Sequence, residues 1–119
     1  MIKDQSIFIQ IAETIKDRIL SGDYVADGRI PSVRDIAVEM EVNPNTVMKA
    51  FDVLQRGDLI YNKRGMGYFV APDAFTTIKK ARKKRLMDEV LPTILDEMEL
   101  IGVSLDELVA AFEERKAKR

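Results

Sequence analysis

The sequence predicts a mainly α-helical protein with one small β-hairpin, and three observations carry that expectation. Apolar residues recur at helical spacing through the first half of the chain and again through its last third. Between those stretches, two short β-prone runs flank a basic tip that holds two glycines. The chain has 119 residues, of which 46% are hydrophobic and 33% charged, a globular composition with room for one modest core.

Each element has its own signal. Ile7, Ile11, Ile15 and Ile19 fall four apart with Phe8, Ala12 and Leu20 beside them, which makes one apolar face of a first helix over 7–20. Ser6 offers an N-cap and Ser21-Gly22 a stop. Residues 23–30 read as a loop or an extended crossing segment. Pro31-Ser32 opens a second, short helix, with Asp35 where a capping box places its acid and Val33, Ile36, Ala37 and Met40 as the buried stripe. Asn43-Pro44 restarts the chain, because Asn caps and Pro suits the first helical position. The third helix buries Val47, Ala50, Phe51 and Leu54 and stops at Gly57.

Residues 59–62 and 68–71 are the expected strands, joined by the tip Lys63-Arg64-Gly65-Met66-Gly67 and closed by Pro72. From about Phe75 the chain is helical again. It passes through the basic run 79–85 and then an apolar series, Met87, Val90, Leu91, Ile94, Met98 and Ile101, within which Pro92 must kink or divide the helix. Gly102 stops it. Ser104 and Glu107 form a second capping box, opening a last helix with the stripe Leu105, Leu108, Val109 and Phe112.

Helix, short helix, tight turn, helix and a basic-tipped ribbon is the order of a winged helix-turn-helix, whose third helix enters the DNA major groove while the wing tip reaches backbone or minor groove. The expected architecture is an N-terminal winged helix-turn-helix over 1–71 and a C-terminal helical dimerisation segment over 72–119. The charge distribution suits it: net charge is -1, yet residues 43–85 carry ten Lys/Arg against three Asp/Glu, while 1–42 sum to -3 and 86–119 to -5. A basic middle between acidic ends is locally suited to a polyanion. With neither Cys nor His, disulfides, thiolate or imidazole metal sites, Cys nucleophiles and Ser-His-Asp triads are excluded, so no enzyme, metal or cofactor is expected. No apolar run approaches the roughly 20 residues of a membrane span and no signal peptide opens the chain, so a cytoplasmic protein without membrane contact is expected.

The runs Pro31-Ser32-Val33-Arg34-Asp35-Ile36-Ala37, Val42-Asn43-Pro44-Asn45-Thr46-Val47, Arg56-Gly57-Asp58-Leu59-Ile60 and Arg64-Gly65-Met66-Gly67-Tyr68-Phe69-Val70 together resemble the DNA-binding domain of GntR-type bacterial transcription regulators, over residues 8–71. Four motifs in that family's order and spacing make the resemblance specific. With its short tail the chain looks most like the YtrA-like branch, in which the tail is two helices used for dimerisation. The resemblance implies a sequence-specific DNA-binding regulator, usually a repressor, that binds a palindromic operator in double-stranded DNA as a homodimer. It implies DNA contact by Arg34 on the second helix, by Asn45 and Thr46 at the start of the third, and by Arg64, Gly65 and Gly67 in the wing. Pro44 and Met48 depart from it, since many relatives carry DNA-contacting arginines there.

The full candidate DNA-binding set is Ser32, Arg34, Asn45, Thr46, Lys49, Lys63, Arg64, Gly65, Gly67 and Tyr68. At the start of the third helix, amide N–H groups and short polar side chains can meet phosphates, and Asn can pair with adenine. Most of these candidates have a plainer competitor: Arg34 can pair with Asp35 or Glu39, Asn45 and Thr46 can be ordinary helix starters, 63–67 can be a solvated turn, and Tyr68, like Tyr61, can be sheet packing. The candidate dimerisation set is Met87, Val90, Leu91, Ile94, Met98, Ile101, Leu105, Leu108 and Phe112, because two helices cover each other's stripes only partly. The run 79–85 reads by default as a solvated helix face, with a second phosphate contact and attachment to an anionic membrane as competitors. A winged-helix protein-interaction module without DNA binding stays open as the alternative function, separable by salt-dependent duplex binding. No small-molecule effector is specified.

Overall fold

Burial of Ile11, Ile15 and Ile19 sets the first helix, while Ile7, the first of the four-apart isoleucines, stays exposed. In the computed structural model, which describes residues 6–119, α1 (Ile7–Ser21) turns Ile11, Ala12, Ile15 and Ile19 into the core. The first five positions of the 1–71 range lie outside the described residues. Ser6 stands at the N-cap in extended geometry, but its side chain makes no capping hydrogen bond.

α2 (Val33–Met40) begins with both halves of the capping box: the Asp35 N–H donates to Ser32 Oγ at 3.0 Å and the Ser32 N–H to Asp35 Oδ2 at 3.3 Å. It ends at Glu41, which holds φ 55° while the Val42 N–H donates back to the Ala37 carbonyl at 3.0 Å. α3 (Pro44–Arg56) follows at once and packs against both α1 and α2. Val47, Ala50, Phe51 and Leu54 on its inner side are fully buried. Gly57 caps α3 at φ -83°, and the positive φ of that turn falls on Asp58, at 59°.

β1 (Ile60–Lys63) and β2 (Gly67–Val70) pair antiparallel, Ile60 with Val70, Tyr61 with Phe69, Asn62 with Tyr68 and Lys63 with Gly67. Lys63 and Gly67 therefore belong to the ladder, and the exposed tip is Arg64-Gly65-Met66, closed by a Met66 N–H to Lys63 carbonyl bond of 2.8 Å. The segment before α2 is more than a crossing. Asp27 and Ile30 donate their N–H groups to the carbonyls of Val70 and Tyr68 at 2.8 and 3.0 Å, and Val70 donates to the Gly28 carbonyl at 3.0 Å. Arg29 is thereby bridged to Phe69, giving β2 a short partner on its other edge.

The chain divides into two compact units, one through Lys80 and one from Ala81. α4 (Ala74–Arg85) serves both: Ala74 and Ile78 complete the core of the first unit, and its last turn is basic. In the second unit a five-residue π-turn, Leu86–Val90, leads into α5 (Leu91–Ile101), which Gly102 ends at φ 74°. The helix neither stops nor restarts at Pro92. A proline deprives the carbonyl four residues earlier of its donor and its ring crowds that carbonyl, and the preceding turn widens so that the Leu91 N–H reaches the Leu86 carbonyl, five residues back. α6 (Leu105–Ala117) opens on the Ser104–Glu107 capping box, with bonds of 3.2 and 2.8 Å. No helix among the described residues is long and apolar enough to cross a membrane.

Candidate nucleic-acid interface

The side chains around the helix-turn-helix sort by whether the fold already uses them. Arg34 is exposed and makes no ion pair among the described residues. Both acids that could have neutralised it are engaged elsewhere: Asp35 closes the capping box, and Glu39 accepts from both terminal nitrogens of Arg18, one of them at 3.1 Å. Arg18 also donates to the Tyr24 hydroxyl at 2.9 Å. Its hydrogen bonds to Glu39, then to Tyr24, hold the guanidinium still more firmly protonated than usual, and Arg18 in turn keeps the Glu39 carboxyl below its ordinary range. Ser32 is half-buried, its hydroxyl spent on the cap.

At the start of α3 the expected free amides are absent. The Asn45 N–H donates to Asn43 Oδ1 at 2.8 Å, and the Thr46 and Val47 N–H groups to the Asn43 carbonyl at 2.9 and 3.3 Å. Pro44 has none to offer. The backbone at this terminus is satisfied by Asn43, so any contact made here falls to side chains. Asn45, Met48 and Lys49 are exposed and Thr46 is half-buried.

The wing is built on aromatic stacking. The Tyr61 and Phe69 rings lie 5.8 Å apart at 19°, and Lys63 folds back over them, its Nζ 4.7 Å from the Phe69 centroid. On the opposite face, Tyr68 meets Phe51 edge-on at 4.8 Å, tying β2 to α3. The Tyr61 hydroxyl donates to Asp27 Oδ1 at 2.9 Å, which raises the phenol's pKa. Gly65, at φ 77°, faces open space. Gly67, at φ 104°, does not: a Cβ there would stand 3.1 Å from Arg29 Nε.

Arg29 is the residue that sequence reasoning missed. It is exposed, makes no ion pair among the described residues, and shares the outer face of the ribbon with Phe69, Lys63 and Gly67. Its only signal in the sequence is a cation two positions before Pro31, in a segment without strand alternation.

In the second unit, none of the nine candidate dimerisation residues is buried. Val90, Leu91, Met98 and Leu108 are half-buried, while Met87, Ile94, Ile101, Leu105 and Phe112 are exposed.

Comparison with known proteins agrees with this architecture. Residues 9–70 match the family described as bacterial regulatory proteins, gntR family. The HTH-type transcriptional repressor YtrA of Bacillus subtilis is 32% identical over 86% of this chain and 78% of its own length. A GntR family transcriptional regulator from Listeria monocytogenes superposes with a TM-score of 0.76 at 27% identity, over 96% of this chain and 98% of that one. The DNA-binding domain of AraR, crystallised in complex with an operator, matches 56% of this chain and 81% of its own at 30% identity and a TM-score of 0.54. By its winged helix, its motifs and these relatives, the chain belongs to the GntR family of bacterial transcription regulators.

Proposed function

We propose that this chain is a cytoplasmic transcriptional repressor that binds a palindromic operator in double-stranded DNA as a homodimer, with α3 in the major groove and the wing against adjacent backbone or minor groove. The observation that carries the reading is a set of exposed cations around the helix-turn-helix and wing that form no ion pair among the described residues, namely Arg29, Arg34, Lys49 and Arg64, beside acids already engaged in Asp27, Asp35 and Glu39. Cations left unneutralised while neighbouring acids serve the fold are suited to release counterions from phosphate.

On this reading Arg29, Arg34, Lys49, Lys63 and Arg64 meet phosphates, Asn45 and Thr46 approach base edges, and Gly65 and Gly67 let the wing come close. Ser32 and Tyr68 act from behind, one by capping α2 and the other by anchoring β2 on Phe51. The repressor named YtrA and the operator-bound AraR domain support the assignment. The unburied apolar residues of the second unit support the dimer, since a symmetric copy would cover them. The functional boundary then lies at the close of the hairpin near residue 71. The division into compact units falls later in the chain, after Lys80, because Ala74 and Ile78 are needed for the first core.

Titration of duplex DNA with the full chain at rising salt tests the reading. Log affinity should fall linearly with log salt, and Arg34→Ala should reduce the slope by about one. Absence of duplex binding would favour the protein-interaction module.

A further inference from the structure

α3 carries one apolar side chain that neither the core nor phosphate binding explains. Met48 is 40% exposed, beside Val47, Ala50, Phe51 and Leu54, which are fully buried. It shares the outer side of the helix with Asn45, Lys49 and Asp52, all polar and exposed. A lone exposed apolar residue is ordinary. This one lies in the second turn of the helix that the proposed function places in the major groove, one position before a cation and three after an asparagine.

We propose that Met48 reads the C5-methyl group of a thymine in each operator half-site. The inference rests on the DNA-binding reading above. Among the base edges of the major groove only thymine presents an apolar group, while guanine, cytosine and the adenine edge present hydrogen-bonding atoms. A thioether packed on a methyl group gains apolar burial. The same thioether pressed on guanine O6 or cytosine N4 strips water from a polar atom and returns no hydrogen bond, so the discrimination works by exclusion as well as by attraction. The unbranched, flexible methionine side chain can follow the methyl group without strain.

The test begins with selection of bound sites from random duplexes by the wild-type chain. Each thymine of the selected half-site is then replaced singly by 2′-deoxyuridine, which removes only the methyl group, and wild type and Met48→Ala are titrated at one salt concentration. One thymine should emerge at which methyl removal weakens the wild type about fourfold, the worth of one buried methyl group. Met48→Ala, whose exposed position spares the core, should melt like the wild type and be indifferent to that methyl. Met48→Arg should shift the preference at that position toward guanine. A clear consensus with no thymine of this kind, or one whose methyl Met48→Ala still senses, overturns the role of Met48 alone. Selection that yields no consensus overturns the DNA-binding reading as well.

Discussion

Gly67→Ala separates backbone strain from the seat of a guanidinium. At φ 104° an L side chain is strained by about 1–3 kcal/mol. Its Cβ would also stand 3.1 Å from Arg29 Nε, closer than ordinary contact, and the exposed end of a flexible arginine yields before the ladder does. Gly65→Ala is the control, because at φ 77° the new methyl meets nothing and the strain is about 1–2 kcal/mol. Urea denaturation should therefore show both variants folded and modestly destabilised, with Gly67→Ala the worse. Duplex affinity, read by fluorescence anisotropy at fixed salt, should separate them further. Displacing Arg29 forfeits a charge-assisted contact of about 1.5 kcal/mol, roughly tenfold in affinity, whereas Gly65→Ala should stay within about threefold. In an Arg29→Ala background the tenfold excess should vanish, because the contact it reports is already gone. Equal affinities for the two glycine variants, or an excess that persists without Arg29, would refute the coupling of wing glycine and arginine.

Three other outcomes follow from named residues. Glu41 holds φ 55° at the end of α2, so Glu41→Gly should raise stability in urea by about 0.5–1 kcal/mol by relieving a left-handed residue at that turn. Leu91→Asp should weaken self-association at least about thirtyfold by sedimentation equilibrium, the effect of 2 kcal/mol or more at a central apolar contact, while the winged unit keeps its melting behaviour. Because Arg18 lowers the Glu39 pKa in the fold, the pair stabilises fully above the ordinary glutamate pKa and its contribution is lost as pH falls from there through the lowered value. Glu39→Gln should thus melt lower than wild type at pH 7, by no more than the roughly 1 kcal/mol of an exposed pair, with the gap closing as pH falls through that range.

The elements that the sequence shows well are those whose signals are local. The isoleucine ladder of α1 and the capping boxes Ser32–Asp35 and Ser104–Glu107 each lie within a few turns of chain, and each forms as its spacing predicts except at Ile7, the exposed first rung of the ladder. What could not be read depends on distant partners. The pairing of Arg29 with Phe69 joins a short polar segment to a strand far along the chain. Whether Arg34 is free depends on Arg18, which occupies Glu39 from 21 residues away. Pro92 announced a disturbance, but its resolution as a π-turn turns on which carbonyl the Leu91 N–H can reach, a matter of backbone geometry. The amides at the start of α3 looked available because Asn and Pro there read as a cap and a first-turn residue. The structure shows that Asn43 uses both its side chain and its carbonyl to satisfy them.

Sedimentation velocity of the full chain with a duplex carrying the selected site reads whether two copies occupy one operator. A complex of two chains per duplex is expected at micromolar protein, formed on the selected site and not on a scrambled one. A complex with a single chain per duplex, or none at all, would contradict it.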